Sequence, residues 1–408
     1  MNRPVRSLPA PTLAAALASA LALGACSAPP AANEAARAGF YSSPFERRPD
    51  AATLTELGRA LFSDPALSAS GRLSCASCHD PARAYGPPDG RAVQAGGADL
   101  RQPGLRAVPS LRYAQDTPPF SEHYQDSEGA DSEDQGPTGG RGWDGRAASA
   151  HEQASLPLLS PFEMANAGRD AVLRGLRGSA NAARFRAAFG EQVFEHPALA
   201  WNGLLMALET FQQSPPDFYP YSSKYDAVLR GRARLSPSEA RGLALFDDEH
   251  KGGCARCHPS ALRHGALPQF SDRGYAALGL PRNPEIAANA DPLWRDQGLC
   301  GPLRTDLRAR PEYCGLFKTP TLRNVATRGV YFHNGVFHRL EDVLDFYARR
   351  DLELARFGPP DLAPAARANL DEGTPFRGPQ RAKPAFSQAE AADLIAFLRT
   401  LDDGWTPP

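Results

Sequence analysis

Apolar residues recur at helical spacing in four stretches of the chain. LGRALF (Leu57–Phe62) and RGLALF (Arg241–Phe246) each predict an amphipathic helix, and the two resemble one another. ADLIAFLRTL (Ala392–Leu401) predicts a third, entered through Ser387 with Glu390 three residues on. LEDVLDFYARR (Leu340–Arg350) predicts a fourth, with Leu340, Val343, Leu344 and Tyr347 on one face and charged residues on the other. RGLALF follows Ser236-Pro237-Ser238-Glu239, a capping box with proline at the first helical position. The expected fold is mostly α. With 36 Gly and 39 Pro, long loops should join modest helices. The turn-rich SPPDFYPYSS (Ser214–Ser223) divides the chain into expected domains at residues 51–225 and 226–408. The Ala- and Pro-rich residues 26–50 read as a flexible spacer.

The N-terminus changes the picture of location. Arg3 and Arg6 precede an apolar run that ends in small residues, and no acidic residue precedes Cys26. This is the layout of a bacterial export signal over residues 1–25. Leu23-Gly24-Ala25-Cys26 resembles a lipobox, which would make Cys26 a lipid-modified terminus; the alternative is a plain cleaved signal. The run is short of the ~18 apolar residues of a spanning helix. The expectation is a periplasmic lipoprotein that touches the membrane only through its lipid. Loss of Arg3 and Arg6 takes the formal net charge from −1 to −3, which argues against a nucleic-acid partner.

The seven cysteines are not one disulfide framework. Four form CASCH (Cys75–His79) and CARCH (Cys254–His258). In CxxCH the two thiols are spaced to form thioethers with one haem, and the following histidine ligates its iron. A zinc site built from both cysteine pairs would leave the histidine after each pair unexplained, twice. Two covalent c-type haems are expected, with His79 and His258 on the irons. Cys300 and Cys314 share one loop, and outside the cytoplasm they are expected to pair.

What the haems do depends on their other ligands. Beyond the signal the chain has two methionines, Met164 and Met206, both before CARCH. The second haem therefore has no methionine in its own domain. His264, His333, His338 and Tyr347 are the alternatives there.

Three stretches carry a family resemblance: GWDGRAASAHEQASLPLLSPFEMAN (Gly142–Asn166), FKTPTLRNVA (Phe317–Ala326) and VYFHNGVFHRLEDVLDFY (Val330–Tyr347). They resemble the bacterial dihaem cytochrome c peroxidases and their relative MauG. The resemblance runs from about residue 51 onward, with residues 114–142 as an unmatched insertion. It implies that Trp143 lies between the haems and relays electrons. It also implies that Gln153 and Glu163 sit over a peroxide-binding haem. A carboxylate there can carry a proton from the inner to the outer peroxide oxygen. The histidine that caps this iron in other members falls at Ala95, so the first haem is expected to be open without prior reduction. His123 could replace it only if the acidic loop folded back. The methionine ligand of other members falls at Tyr347, where MauG-like members have tyrosine, a hard anionic donor that favours higher oxidation states. His333 reads as a buried structural histidine. The family's calcium ion would lose its asparagine ligand at Ala107, leaving the carbonyls of Arg328 and Val330.

Three functions compete. One is a peroxidase reducing hydrogen peroxide, supplied with electrons by a small cytochrome c or a cupredoxin. The second is a MauG-like oxidase acting on tryptophan of a partner protein. MauG's exit tryptophan falls here at Gly252, so any such route would differ. The third is a non-catalytic dihaem carrier, which the missing ligand at Ala95 argues against. The seven acidic residues between Tyr113 and Arg141, with no Lys or Arg among them, read as a solvated loop or a docking surface for a basic partner.

Overall fold

A computed structural model describes residues 44–125, 133–357, 362–376 and 382–407. The export signal, Cys26 and most of the spacer lie outside the described residues. Eight helices of eight residues or more occur among the described residues: α1 Ala51–Phe62, α2 Ala150–Leu159, α3 Arg169–Gly178, α4 Ala182–Phe189, α5 Pro197–Phe211, α6 Pro237–Asp247, α7 Leu340–Arg349 and α8 Gln388–Arg399. Extended structure is limited to two short antiparallel ladders. β1 (Ala95–Gly96) pairs with β2 (Gln102–Pro103), and β3 (Tyr275–Ala276) with β4 (Phe317–Lys318).

The helices begin where their caps dictate. The Asp50 carboxylate accepts from the Thr53 amide at 2.7 Å to open α1. Capping boxes open α6 at Ser236 with Glu239 and α8 at Ser387 with Glu390.

Two apolar cores form within the compact unit that starts at Phe45. The first gathers Leu57, Leu61, Phe62, Leu158, Phe185, Leu204 and Phe211. The second gathers Phe246, Phe270, Leu344, Leu394 and Phe397. Each is organised by one helix crossing, and the two crossings repeat. A Cβ on Gly58 of α1 would lie 2.0 Å from the Ala207 carbonyl oxygen and 2.7 Å from Phe211 Cβ on α5. A Cβ on Gly242 of α6 would lie 2.0 Å from the Asp393 carbonyl oxygen and 2.8 Å from Phe397 Cβ on α8. Both glycines are thus contact points between backbones, each in the helix that precedes a CxxCH motif. Gly242→Ala is expected to cost about 3 kcal/mol, the upper end for overpacking, because a backbone oxygen cannot swing aside. A fall in the urea midpoint at constant slope would measure it.

The insertion is tied down through its charges. Asp116 pairs with Arg273 at 2.7 Å, Glu122 with Arg310 at 2.5 Å, and Asp134 with His123 at 2.6 Å. Three of its acids are therefore engaged within the chain, which weakens the docking-surface expectation; residues 126–132 lie outside the described residues. Cys300 and Cys314, both buried, form a disulfide.

Candidate active site

The first CxxCH forms a single helical turn, Cys75–Cys78, entered through Ser74. The second needs a left-handed residue at its start, and Gly253 supplies it at φ +61° with Thr374 packed against it. The two histidines are held alike. His79 Nδ1 lies 3.1 Å from the Tyr85 carbonyl and His258 Nδ1 lies 2.7 Å from the Phe270 carbonyl. A carbonyl only accepts, so Nδ1 carries the proton and Nε2 keeps its lone pair for a metal. Burial keeps both rings neutral, lowering His79 to about 4 and lowering His258 as well. The four motif cysteines are free. Burial raises their thiols, Cys75, Cys254 and Cys257 to about 12 and Cys78 to about 11. Among the described residues no three His, Cys, Asp or Glu side chains converge as a metal cluster.

Both motifs line one cavity of about 850 Å³. Arg141 and Lys318, among its cations, have no carboxylate partner among the described residues. Arg141 is buried with Nε unpaired, and burial together with Arg273 lowers its guanidinium. Lys318 donates to the Gly140 carbonyl at 2.5 Å, and burial, Arg273 and Arg141 bring its amine down to about 7. An apolar cavity with neutral thiols, Nε2 lone pairs and uncompensated cations fits a porphyrin bearing carboxylates.

Glu163 and Ala95 line the cavity near Cys75 and Cys78, and Gln153 and His79 line it too. β1 lies directly against Glu163. The Gly97 amide donates to the Glu163 carbonyl at 2.8 Å, and a Cβ on Gly96 would come within 2.7 Å of Glu163 Cα. Ala95 and Glu163 are therefore neighbours, although 68 positions separate them in the chain. Glu163 retains accessible surface facing the cavity, yet the protein packed around it raises its carboxyl pKa. Arg146 and Ser160 oppose that shift without cancelling it. His123 is elsewhere, exposed and bound to Asp134.

Trp143 lies along the same cavity, in contact with segments of both halves. Its indole Nε1–H donates to the Ala107 carbonyl at 2.8 Å. Its own carbonyl accepts from the Lys318 amide at 2.9 Å, and its ring stands 6.4 Å from that of His333. The next residue, Asp144, is fully buried and accepts from Arg106 at 2.7 Å. Arg106 also grips Asp296 through two bonds of 2.6 and 2.7 Å. This triad, with Arg141 and Lys318, was missed in the sequence. Arg106 stands directly before Ala107 in RAVPSL, and no local pattern marks it.

Tyr347 lines the cavity with Cys254, Cys257 and His258. Its ring stacks on Phe376 at 5.4 Å. Burial, reinforced by Cys257 and Cys254, raises its phenol. His264 and His338 are exposed, and His338 is bound to Glu285. His333 lies flat on Phe317 at 3.4 Å beside Trp143, where burial lowers it to about 3.

Both expected calcium ligands already accept hydrogen bonds within the chain. The Arg328 carbonyl accepts from the Tyr331 hydroxyl at 2.9 Å. The Val330 carbonyl accepts from Arg328 Nε at 3.2 Å. A calcium ion on that same oxygen would lie within about 6 Å of the guanidinium. Their repulsion would be on the order of 6 kcal/mol at an effective dielectric near 20. The residues present do not fit the ion.

Comparison with known proteins agrees with the motifs. The family described as di-haem cytochrome c peroxidase matches residues 52–234. The methylamine utilization protein MauG of Paracoccus denitrificans is 36% identical, over 88% of this chain and 90% of that protein. The cytochrome c551 peroxidase of Nitrosomonas europaea is 28% identical, over 86% of this chain and 81% of that protein. The crystal structure of the diheme peroxidase BthA from Burkholderia thailandensis superposes with a TM-score of 0.78 at 38% identity, covering 87% of both chains.

Proposed function

Because the chain belongs to the dihaem cytochrome c peroxidase and MauG family, we propose that it reduces hydrogen peroxide without first having to be reduced. The observation that carries this reading is Ala95 on the same cavity as Glu163: the segment that would carry a capping histidine packs on the Glu163 backbone, and alanine there offers no ligand.

Cys75 with Cys78, and Cys254 with Cys257, would hold two c-type haems through thioethers. His79 and His258 would ligate the irons through Nε2, with the Tyr347 oxygen, as the phenolate, on the second. Arg141 and Lys318 would face their carboxylates. Bound there, the haems supply the peroxide-binding metal and storage for two oxidising equivalents. The chain's own groups manage the protons. Gln153 orients hydrogen peroxide through its amide. Glu163 takes the proton of the inner oxygen and delivers it to the outer one, which leaves as water. Two electrons and two protons complete the reduction to two waters. A small cytochrome c or a cupredoxin would supply the electrons in the periplasm, with the protein held to the membrane through Cys26. Trp143, with both ends of the cavity on its flanks, is suited to share charge between them.

Stoichiometric peroxide added to the ferric holoprotein should change its optical and EPR spectra at once. A requirement for prior reduction would refute the reading, and no reaction at all would favour a carrier. Ala95→His should abolish the immediate reaction and restore it only after reduction. Stopped-flow absorbance on ferric and half-reduced samples would show this.

A second reading, a MauG-like oxidase of tryptophan on a partner protein, draws on Tyr347. It must do without a tryptophan at position 252, where a Cβ would lie 2.0 Å from the Leu245 carbonyl oxygen. Any side chain there is excluded, so such an enzyme would pass charge out elsewhere.

A further inference from the structure

We propose that the guanidinium of Arg328 takes the place of the calcium ion implied by the family resemblance, making this cation a covalent part of the chain that positions Trp143. The cation would have to join the segment around Ala107 to the segment around Arg328 and Val330. Arg328 does this itself. Its NH2 group donates to the Val108 carbonyl at 2.9 Å and its Nε to the Val330 carbonyl at 3.2 Å. Arg83 adds a second guanidinium to the same loop, donating to the Thr327 carbonyl at 3.2 Å. No carboxylate pairs with either arginine among the described residues; their partners there are carbonyl oxygens, the ligand type a hard cation would recruit.

The link to Trp143 is short. The Arg328 guanidinium holds Val108, and the adjacent Ala107 carbonyl accepts the Trp143 indole N–H at 2.8 Å. The Ala107 amide donates to the His333 carbonyl at 2.7 Å, which secures the segment from its other side. Alanine at position 107 fits this arrangement. It offers a carbonyl to the indole and no side-chain oxygen to a metal. Arg328 is thus a positioning residue, acting on Trp143 through the backbone of Ala107 and Val108.

Two measurements test this on the holoprotein. The first is metal content by elemental analysis, before and after treatment with a calcium chelator. Calcium well below one equivalent is expected, with spectra and peroxide reactivity unchanged by the chelator. One tightly held equivalent, whose removal alters the spectra, would overturn the proposal. The second is chemical rescue of Arg328→Ala. The variant should lose charge sharing between the haems, read by EPR after one equivalent of peroxide. Sub-denaturing guanidinium should restore it, and calcium should not. Rescue by calcium alone would overturn the proposal. The role assigned to Trp143 rests on the dihaem reading, whereas metal content does not. A protein without two haems would fail the EPR control and leave the calcium result standing.

Discussion

Glu163→Gln is expected to slow the reaction with peroxide by roughly 10²–10⁴-fold, the range for losing a positioned acid–base group. The fold should survive. Burial raises the Glu163 pKa, so the folded state binds a proton more tightly there than the unfolded state does. This group's contribution to stability therefore falls as pH rises from its ordinary value of 4.5 through the raised one. Glutamine removes that cost, so at neutral pH the variant should be as stable as the parent or more so, while far slower. The parent's peroxide rate should climb with pH through the raised carboxyl pKa, and the climb should vanish in the variant. A variant that kept its rate would remove Glu163 from the mechanism. Stopped-flow pH profiles and denaturant midpoints on the same preparations would decide.

Tyr347→Phe should change the spectrum of the second haem and leave the fold in place. The substitution deletes one oxygen from a ring that keeps its stacking on Phe376, and a near-isosteric swap costs under about 1.5 kcal/mol. Loss of an anionic oxygen donor should raise the reduction potential of that haem. The low-spin EPR signal should shift or disappear. An unchanged signal would mean that the ligand is another residue. His333 is the other in-domain histidine on the cavity, so the double variant with His333→Ala would then be informative.

Much of this was legible in the chain. The repeated LGRALF and RGLALF helices, the capping boxes and the two CxxCH motifs are local signals, and each set its own element. The family resemblance also put Tyr347 at a ligand position, and the side chain lines the cavity. Local patterns do not encode what two distant segments do together. Ala95 and Glu163 become neighbours only because a two-residue ladder packs on the backbone of a turn. Arg106, Arg141 and Lys318 are ordinary surface-type residues by composition, and only tertiary burial gives them meaning. The calcium expectation also turns on tertiary placement. The carbonyls of Arg328 and Val330 are where a ligand list would seek them, but the side chain of Arg328 itself turns back onto one. Helix α7 shows a milder version. Its periodicity chose one apolar face, yet Phe346, outside that face, is fully buried against Phe357 and Phe376.

The shared cavity also bears on how the protein matures. Its apolar walls come from segments nearly the full length of the chain apart, from Phe62 to Leu398. Cys75 and Cys254, on those walls, are half-buried in the folded protein, and the segments that enclose them meet only on folding. Thioether formation is therefore expected to run faster on the unfolded chain than on the folded one, an order that ligation assays on both forms would check.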